Sequence, residues 1–150
     1  MVSNPAKSEL YYAVKGSGAY KVTFGKGDET PRRISTDPNA PAIVHKDMYS
    51  NPEMAAITES FEFVERPFKR SCGCHYVGVA EGALGAFVSF SRKHPTMEWD
   101  VCAPQVIVEE AGGVMTDLYG DELVYNLAPA FEKGIIAQAR RGMVPFLPRR

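Results

Sequence analysis

Cysteine is scarce in this chain of 150 residues. Cys72, Cys74 and Cys102 are odd in number and spaced unlike the disulfide framework of a small secreted scaffold, so free thiols in a reducing cytoplasm are expected. A Cys3His zinc site could be drawn from Cys72, Cys74, His75 and Cys102. Cys-x-Cys is too tight for most paired zinc ligands, however, and small thiols packed as core residues are the simpler reading. Long apolar runs are missing too. None approaches the roughly 20 residues of a membrane span, and residues 1–5 carry neither the basic patch nor the apolar stretch of an export signal. Nor does either sign of charge dominate, since 17 Lys+Arg stand against 18 Asp+Glu. A surface so balanced lacks the cationic field on which non-specific nucleic-acid binding depends, and no nucleic-acid partner is expected. With 45% hydrophobic and 23% charged residues, the composition is that of one globular domain rather than a disordered or fibrous chain.

Two runs of β-formers, residues 9–14 and 19–24, flank Lys15-Gly16-Ser17-Gly18 and predict a β-hairpin. Residues 25–39 hold turn formers and few large apolar side chains, which predicts a surface loop with a short edge strand at Arg33-Ile34-Ser35. Ala42-Ile43-Val44-His45 reads as a buried strand. Asn51 and Pro52 open a helix carrying Met54, Ile57 and Phe61 at helical spacing and ending before Pro67. A short buried helix is expected over 74–80, closed by Glu81-Gly82, followed by a strand over 86–90. Pro104 has no N–H to donate and is best tolerated in a first turn, which predicts a helix starting close to Asp100 and ending at Gly112-Gly113. A strand at 114–117, a turn at 118–121, a returning strand at 123–125 and a last buried strand at 134–137 complete the pattern. From Arg140 onward the chain, rich in Arg and Pro, is expected to be a loose tail. Alternation of strands and helices predicts a layered α/β architecture.

Asp100 falls at the mouth of its helix, where the N–H groups and dipole of the first turn favour a carboxylate. It could serve simply as a cap, or also as a hard oxygen ligand for Mg2+ with the positive helix end facing a phosphate. Trp99, the single tryptophan, reads as a core anchor for the preceding loop. Met97 and Met115 read as packing residues, and Glu109 and Glu110 as structural or exposed.

Glu98-Trp99-Asp100-Val101-Cys102-Ala103-Pro104, followed by Glu110-Ala111-Gly112-Gly113, Thr116-Asp117 and Gly120, resembles the signature W-D-x-x-A…E-A-G-G-x-x-T-D-x-x-G of the inositol monophosphatase superfamily. The W-D-x-C-A-P form most resembles the branch of 3'(2'),5'-bisphosphate nucleotidases and inositol polyphosphate 1-phosphatases. Asn4-Pro5 with the hairpin from Glu9 to Tyr20 is similar to the family's N-P…E-L-Y-x-A-x-x-G-x-G-A segment, and Val79-Ala80-Glu81-Gly82 to its V-A-E-G. The resemblance implies a sugar-phosphatase-like layered fold with its N-terminal layer incomplete. Residues 1–139 would be the C-terminal portion of the domain and 140–150 the tail.

The resemblance also implies a Mg2+-dependent, lithium-sensitive phosphomonoesterase in which two or three ions would lower the pKa of a bound water, the nucleophile toward a small phosphorylated substrate, and stabilise the charge on the leaving oxygen. Asp100 matches the family's metal-binding aspartate, which also approaches substrate. Ser71, Gly73 and His75 lie in the turn that contacts substrate, His75 standing where the nucleotidase branch tends to carry lysine, a permanent cation. The family's D-P-[IL]-D-G-T motif is not in this sequence, and Asp37-Pro38-Asn39 is better read as a turn. One carboxylate cannot hold two ions and orient a water, so the chain alone is expected to be inactive, with a partner supplying the missing half or a homodimer as its assembly. Two alternatives stand beside a nucleotidase converting 3'-phosphoadenosine 5'-phosphate to AMP. One is an inositol (poly)phosphate phosphatase. The other is a non-catalytic module binding a phosphorylated ligand through the helix start near Asp100 and the basic run Arg66, Lys69, Arg70. Absent strands would also leave open sheet edges and apolar faces that seek a partner.

Overall fold

The computed structural model describes residues 1–44, 51–59 and 71–149. In chain order the strands are β1 (Val2–Asn4), β2 (Glu9–Val14), β3 (Gly18–Thr23), β4 (Arg32–Ile34) and β5 (Ala42–Val44). Helix α1 (Ala55–Thr58) and helix α2 (Cys72–Ala80) follow, then β6 (Ala86–Ser89), β7 (Thr96–Met97), helix α3 (Glu98–Glu110), β8 (Val114–Thr116), β9 (Ala130–Phe131) and β10 (Ile135–Gln138). His45, Phe61, Arg66, Pro67, Lys69 and Arg70 lie outside the described residues.

The first four strands form an antiparallel sheet in the order β1-β2-β3-β4. Its hairpin has the expected register, Tyr11 facing Lys21 and Ala13 facing Ala19. A second sheet runs β5-β6-β10-β8, with β5 parallel to β6 and the other neighbours antiparallel. Helices α2 and α3 lie between the two sheets. Tyr11 and Ala19 from the first sheet meet Tyr76, Val101 and Ile107 from the helices and Phe87 and Ile135 from the second sheet in one buried cluster. Strand alternation sends Ala86, Val88 and Ile136 to the opposite face of the second sheet, where Met54, Ile57, Val144 and Leu147 cover them. The α/β layering expected from the alternation of elements is therefore the observed one.

Three particulars differ from expectation. The segment after Arg140 is not loose: Val144 and Leu147 are buried, the fully buried Gln138 accepts from the Val144 N–H at 3.0 Å, and the Leu147 N–H donates to the Leu118 carbonyl at 2.8 Å. The prolines and arginines space two apolar anchors that suffice to seat the segment on the second sheet. Residues 123–125 form no strand. Tyr125 instead donates its hydroxyl to Gln105, and the Asn126 N–H donates to the Glu98 carboxylate at 2.6 Å, so this loop binds α3 while β9 pairs with β7. Pro104 lies well inside α3 rather than in its first turn. Its missing N–H leaves the Asp100 carbonyl, four residues back, without its helical donor.

Two carboxylates tie the hairpin to the helices. Glu81, just past α2, accepts from Lys21 Nζ at 2.6 Å and from the Tyr11 hydroxyl at 3.1 Å, while Glu9 takes a second contact from Lys21 at 2.8 Å. Burial opposes the Lys21 charge, but bonds to Glu81 and Glu9 outweigh it and raise the ammonium above its ordinary range. Glu110, at the end of α3, clamps the hairpin turn by accepting from the N–H groups of Gly16 at 2.7 Å and Gly18 at 2.8 Å. These two bonds, that from Gly16 first, hold its carboxyl below the ordinary value of 4.5. A lowered carboxyl favours the fold above that value and loses its contribution as pH falls through the native value. The amide proton shifts of Gly16 and Gly18 are therefore expected to titrate together below pH 4.5. An NMR titration checks this, and Glu110→Gln is expected to remove the titration while keeping one of the two bonds.

Candidate active site

Helices α2 and α3 start side by side. A Cβ added at Gly73, in the first turn of α2, would lie 3.8 Å from Val2 Cγ1 and 4.0 Å from Pro104 Cγ, so this glycine sits at the crossing of α2 with α3 and β1. Ser71 precedes α2 in an extended conformation, exposed, its side chain making no cap. Its carbonyl accepts from the Cys74 N–H at 3.0 Å and the His75 N–H at 3.3 Å. Asp100 is exposed in the first turn of α3 and accepts from the Met97 N–H at 3.3 Å, which anchors one carboxylate oxygen at the helix start. The helix begins at Glu98, two residues before the expected boundary, with the Glu98 N–H bonded to the Pro129 carbonyl at 3.0 Å.

Between the two helix starts lies a polar floor that sequence reasoning missed. It consists of Cys72, Tyr76 and the hydroxyl pair of Ser89 and Thr96, whose oxygens are 3.2 Å apart. Burial pushes the Cys72 thiol up, and the charge of Asp100 adds to the effect. The Tyr76 hydroxyl is raised for the same two kinds of reason, burial first. Cys72 stood out in the sequence only as a scarce thiol, and no signal there marks Tyr76, Ser89 and Thr96 as its neighbours. Ser89 looks like a polar end to an apolar strand, and Tyr76 like any core aromatic.

The residues expected at substrate do not all face one space. Ser71 and Asp100 are exposed at adjacent helix starts. Gly73 is occupied with helix packing. His75 is 7% exposed, its ring stacked on Phe87 at a centroid distance of 4.8 Å and its Nδ1 3.1 Å from the Ser71 carbonyl. Its position four residues into α2 turns it toward the second sheet, so it takes no lysine-like place at the surface. Trp99 is 67% exposed beside Asp100 and is not the core anchor expected of it. Cys102 is exposed on α3, whereas Cys72 and Cys74 are half-buried. Met115 is buried as expected.

Asp117 completes the picture of the glycine-rich motif. Its buried carboxylate accepts from the N–H groups of Tyr119 and Asp121, both at 2.9 Å, and faces Lys133 Nζ at 3.5 Å. It closes the turn after β8, as Glu110 closes the hairpin. Among the described residues no group of three or more His, Cys, Asp or Glu side chains is placed to hold a metal ion. Since Mg2+ takes about six oxygen donors, Asp100 and its neighbours do not by themselves fit a Mg2+ centre.

A layered α/β frame with a motif-borne aspartate in the first turn of a helix defines the class of protein. The model of the inositol monophosphatase family matches residues 1–144, and the chain belongs to that family. It is 34% identical over 149 residues to the fructose-1,6-bisphosphatase/inositol-1-monophosphatase of Thermotoga maritima, a match covering 91% of this chain and 48% of that protein. It is 33% identical over 134 residues to the bifunctional NADP phosphatase/NAD kinase of Methanococcus maripaludis, covering 85% of this chain and 22% of that protein. Among solved structures, CysQ from Bacteroides thetaiotaomicron superposes with a TM-score of 0.68 at 27% identity, over 91% of this chain and 56% of that one. The chain thus spans about half the length, or less, of these relatives.

Proposed function

We propose that this chain is one half of the active site of a Mg2+-dependent phosphomonoesterase acting on a 3'(2'),5'-bisphosphate nucleotide such as 3'-phosphoadenosine 5'-phosphate. The observation that carries the reading is Asp100, held by the Met97 N–H at the exposed start of α3, directly beside the start of α2. Two adjacent helix N-termini attract a phosphate through their free N–H groups and partial positive charge. Asp100 would offer one oxygen to the metal, and the remaining donors would come from outside these residues. The W-D-x-C-A-P form of the motif supports the branch of 3'(2'),5'-bisphosphate nucleotidases and inositol polyphosphate 1-phosphatases. No helix among the described residues is long and apolar enough to cross a membrane, and three free thiols suit a reducing cytoplasm.

Calorimetric titration of the purified chain with Mg2+, with and without adenosine 3',5'-bisphosphate, is expected to show absent or only millimolar binding, and a phosphate-release assay no turnover. Tight, nucleotide-coupled Mg2+ binding with turnover would overturn the divided site. Mixing the chain with the part of the Thermotoga maritima relative that the match leaves uncovered is expected to create Mg2+-dependent phosphate release. Asp100→Asn in that mixture is expected to lower turnover at least ~100-fold, equivalent to about 2.7 kcal/mol of barrier. Release from inositol 1-phosphate but not from the nucleotide would refute the substrate assignment and leave the phosphatase reading standing.

A further inference from the structure

The turn after β8 is surrounded by cations that its own geometry does not need. Its backbone closes on itself. The Asp117 carboxylate takes the N–H groups of Tyr119 and Asp121, both at 2.9 Å, and the Asp117 N–H donates to the Asp121 carbonyl at 3.0 Å. The Leu118 N–H reaches the Lys133 carbonyl at 3.4 Å. Around this turn stand Lys133, just before β10, and Arg141 and Arg149 from the C-terminal segment. Lys133 Nζ is 3.5 Å from the Asp117 carboxylate and 5.9 Å from the centroid of the Tyr119 ring. Arg141 Nη2 donates to the Gly120 carbonyl at 2.8 Å, and Arg149 donates to the Asp121 carboxylate.

Exposed ion pairs of this kind add little to stability, because water screens them and two long side chains must be ordered to make them. Burial of Val144 and Leu147 already seats the segment that carries the arginines. Three hollows meet at Lys133, and they differ in charge. One is balanced, Arg92 and Lys133 against Glu53 and Glu132. The second is acidic, with Asp117, Asp121, Glu122 and Glu132 against Lys133 alone. The third, about 410 Å³ in volume, is lined by Tyr119, Asp121, Lys133 and Arg149, so that two cations face one carboxylate. Donors there exceed acceptors as well. An ammonium carries three N–H groups and a guanidinium five, whereas Asp121 offers two oxygens and Asp117 already accepts two backbone N–H groups.

We infer that the hollow between Tyr119, Lys133 and Arg149 is a second phosphate-binding site, taking the dianionic phosphate of a small monoester or the free ion, with Asp121 as the built-in anion that the ligand displaces from Arg149. A phosphate dianion competes with a carboxylate for a guanidinium because it carries more charge and presents oxygens for a bidentate contact. Asp121 is partly exposed and can turn out to water. Lys133 supplies the second positive charge, and Tyr119 forms the wall against which the organic group of an ester rests. The site shares no residue with the two helix starts and stands or falls apart from the role of Asp100.

The test titrates the purified chain with inorganic phosphate, with phenyl phosphate and, at matched ionic strength, with sodium chloride, at about pH 8 where both phosphates are dianions. Amide and side-chain NMR shifts locate the binding. Saturable shifts centred on Tyr119, Asp121, Lys133 and Arg149 are expected for the phosphates, with a Kd on the order of 1 mM, and none for chloride. Tighter binding of phenyl phosphate assigns an ester as the ligand, and equal or weaker binding assigns the free ion. Lys133→Gln and Arg149→Gln are each expected to weaken binding at least ~10-fold. Asp121→Asn is expected to tighten it ~5-fold, since it removes the competing anion. Circular dichroism checks that the variants fold; should Lys133→Gln unfold, Arg149→Gln, at an exposed position, and Asp121→Asn carry the test. Equal shifts with chloride, no saturation, no gain from Asp121→Asn, or shifts centred on residues 97–100 overturn the site.

Discussion

Gly85→Ala is expected to be the most damaging single-methyl change in the molecule. A Cβ at this position would lie 2.3 Å from the Ala40 carbonyl oxygen and 2.6 Å from Met143 Cε. The methionine end can swing away, but the carbonyl is backbone and cannot. Gly85 is held on both sides, its N–H donating to the Pro41 carbonyl at 3.0 Å and its carbonyl accepting from the Ala139 N–H at 2.8 Å. It is the point where the leads into β5 and β6 and the end of β10 come closest. Relieving the overlap must move one of these strands, at an overpacking cost of about 3 kcal/mol. Measured by denaturant unfolding, such a loss removes a large part of a total stability of about 5–15 kcal/mol. The melting temperature is expected to fall by about 10 °C. Gly142→Ala is the control: that glycine has φ +75° with nothing within 4 Å of the added carbon, so only backbone strain of about 1 kcal/mol is expected. Equal losses for the two variants would show that the close approach at Gly85 is not the constraint described.

Phe87→Ala is expected to cost about 3–5 kcal/mol, the range for emptying a buried aromatic site. Phe87 is fully buried in β6, stacked on His75 at 4.8 Å and meeting Tyr76 edge to face at 5.1 Å. Both partners stand on α2. The ring thus fixes the turn of helix that sets Cys72 and Ser71 beside Asp100, and its removal reaches the candidate site as well as the core. Hydrogen exchange across residues 72–80 is expected to accelerate more than exchange in the hairpin. Phe87→Leu, which keeps most of the apolar volume, is expected to cost under about 1.5 kcal/mol. A uniform acceleration over the whole chain would show that α2 has no special dependence on Phe87.

The functional motif divides into residues that build and residues that remain available. Glu110 holds the hairpin turn, Asp117 closes the turn after β8, and Gly113 lets strand and helix approach: a Cβ there would lie 2.8 Å from Val108 Cγ1 and 2.9 Å from the Gln138 carbonyl oxygen. Asp100, by contrast, has one bond to its own helix start and an exposed carboxylate. The same short stretch therefore supports the frame and presents one acidic group from it. Trp99 is exposed next to that group.

Local patterns carried much of this in the sequence. The hairpin follows from alternating β-formers around Gly16 and Gly18, and the end of α3 from the paired glycines, of which Gly112 adopts φ +95°. Asp100 was singled out by a motif whose residues are contiguous along the chain. These features depend on neighbours in sequence, where propensity and periodicity act. Three others depended on what each side chain meets across the fold. His75 could have faced solvent until Phe87 offered a ring to stack on, Trp99 could have been buried until its surroundings left it open, and the residues after Arg140 could have been loose until Val144 and Leu147 found the far face of the second sheet. Pro104 shows the same limit, because packing of α3 between two sheets holds a helix through a residue that local preference would place at its start. The sequence by itself determined the family, the hairpin and the layered α/β class; only the tertiary structure decided which side chains are spent on holding the layers together and which remain on the surface, because burial is a property of partners distant along the chain.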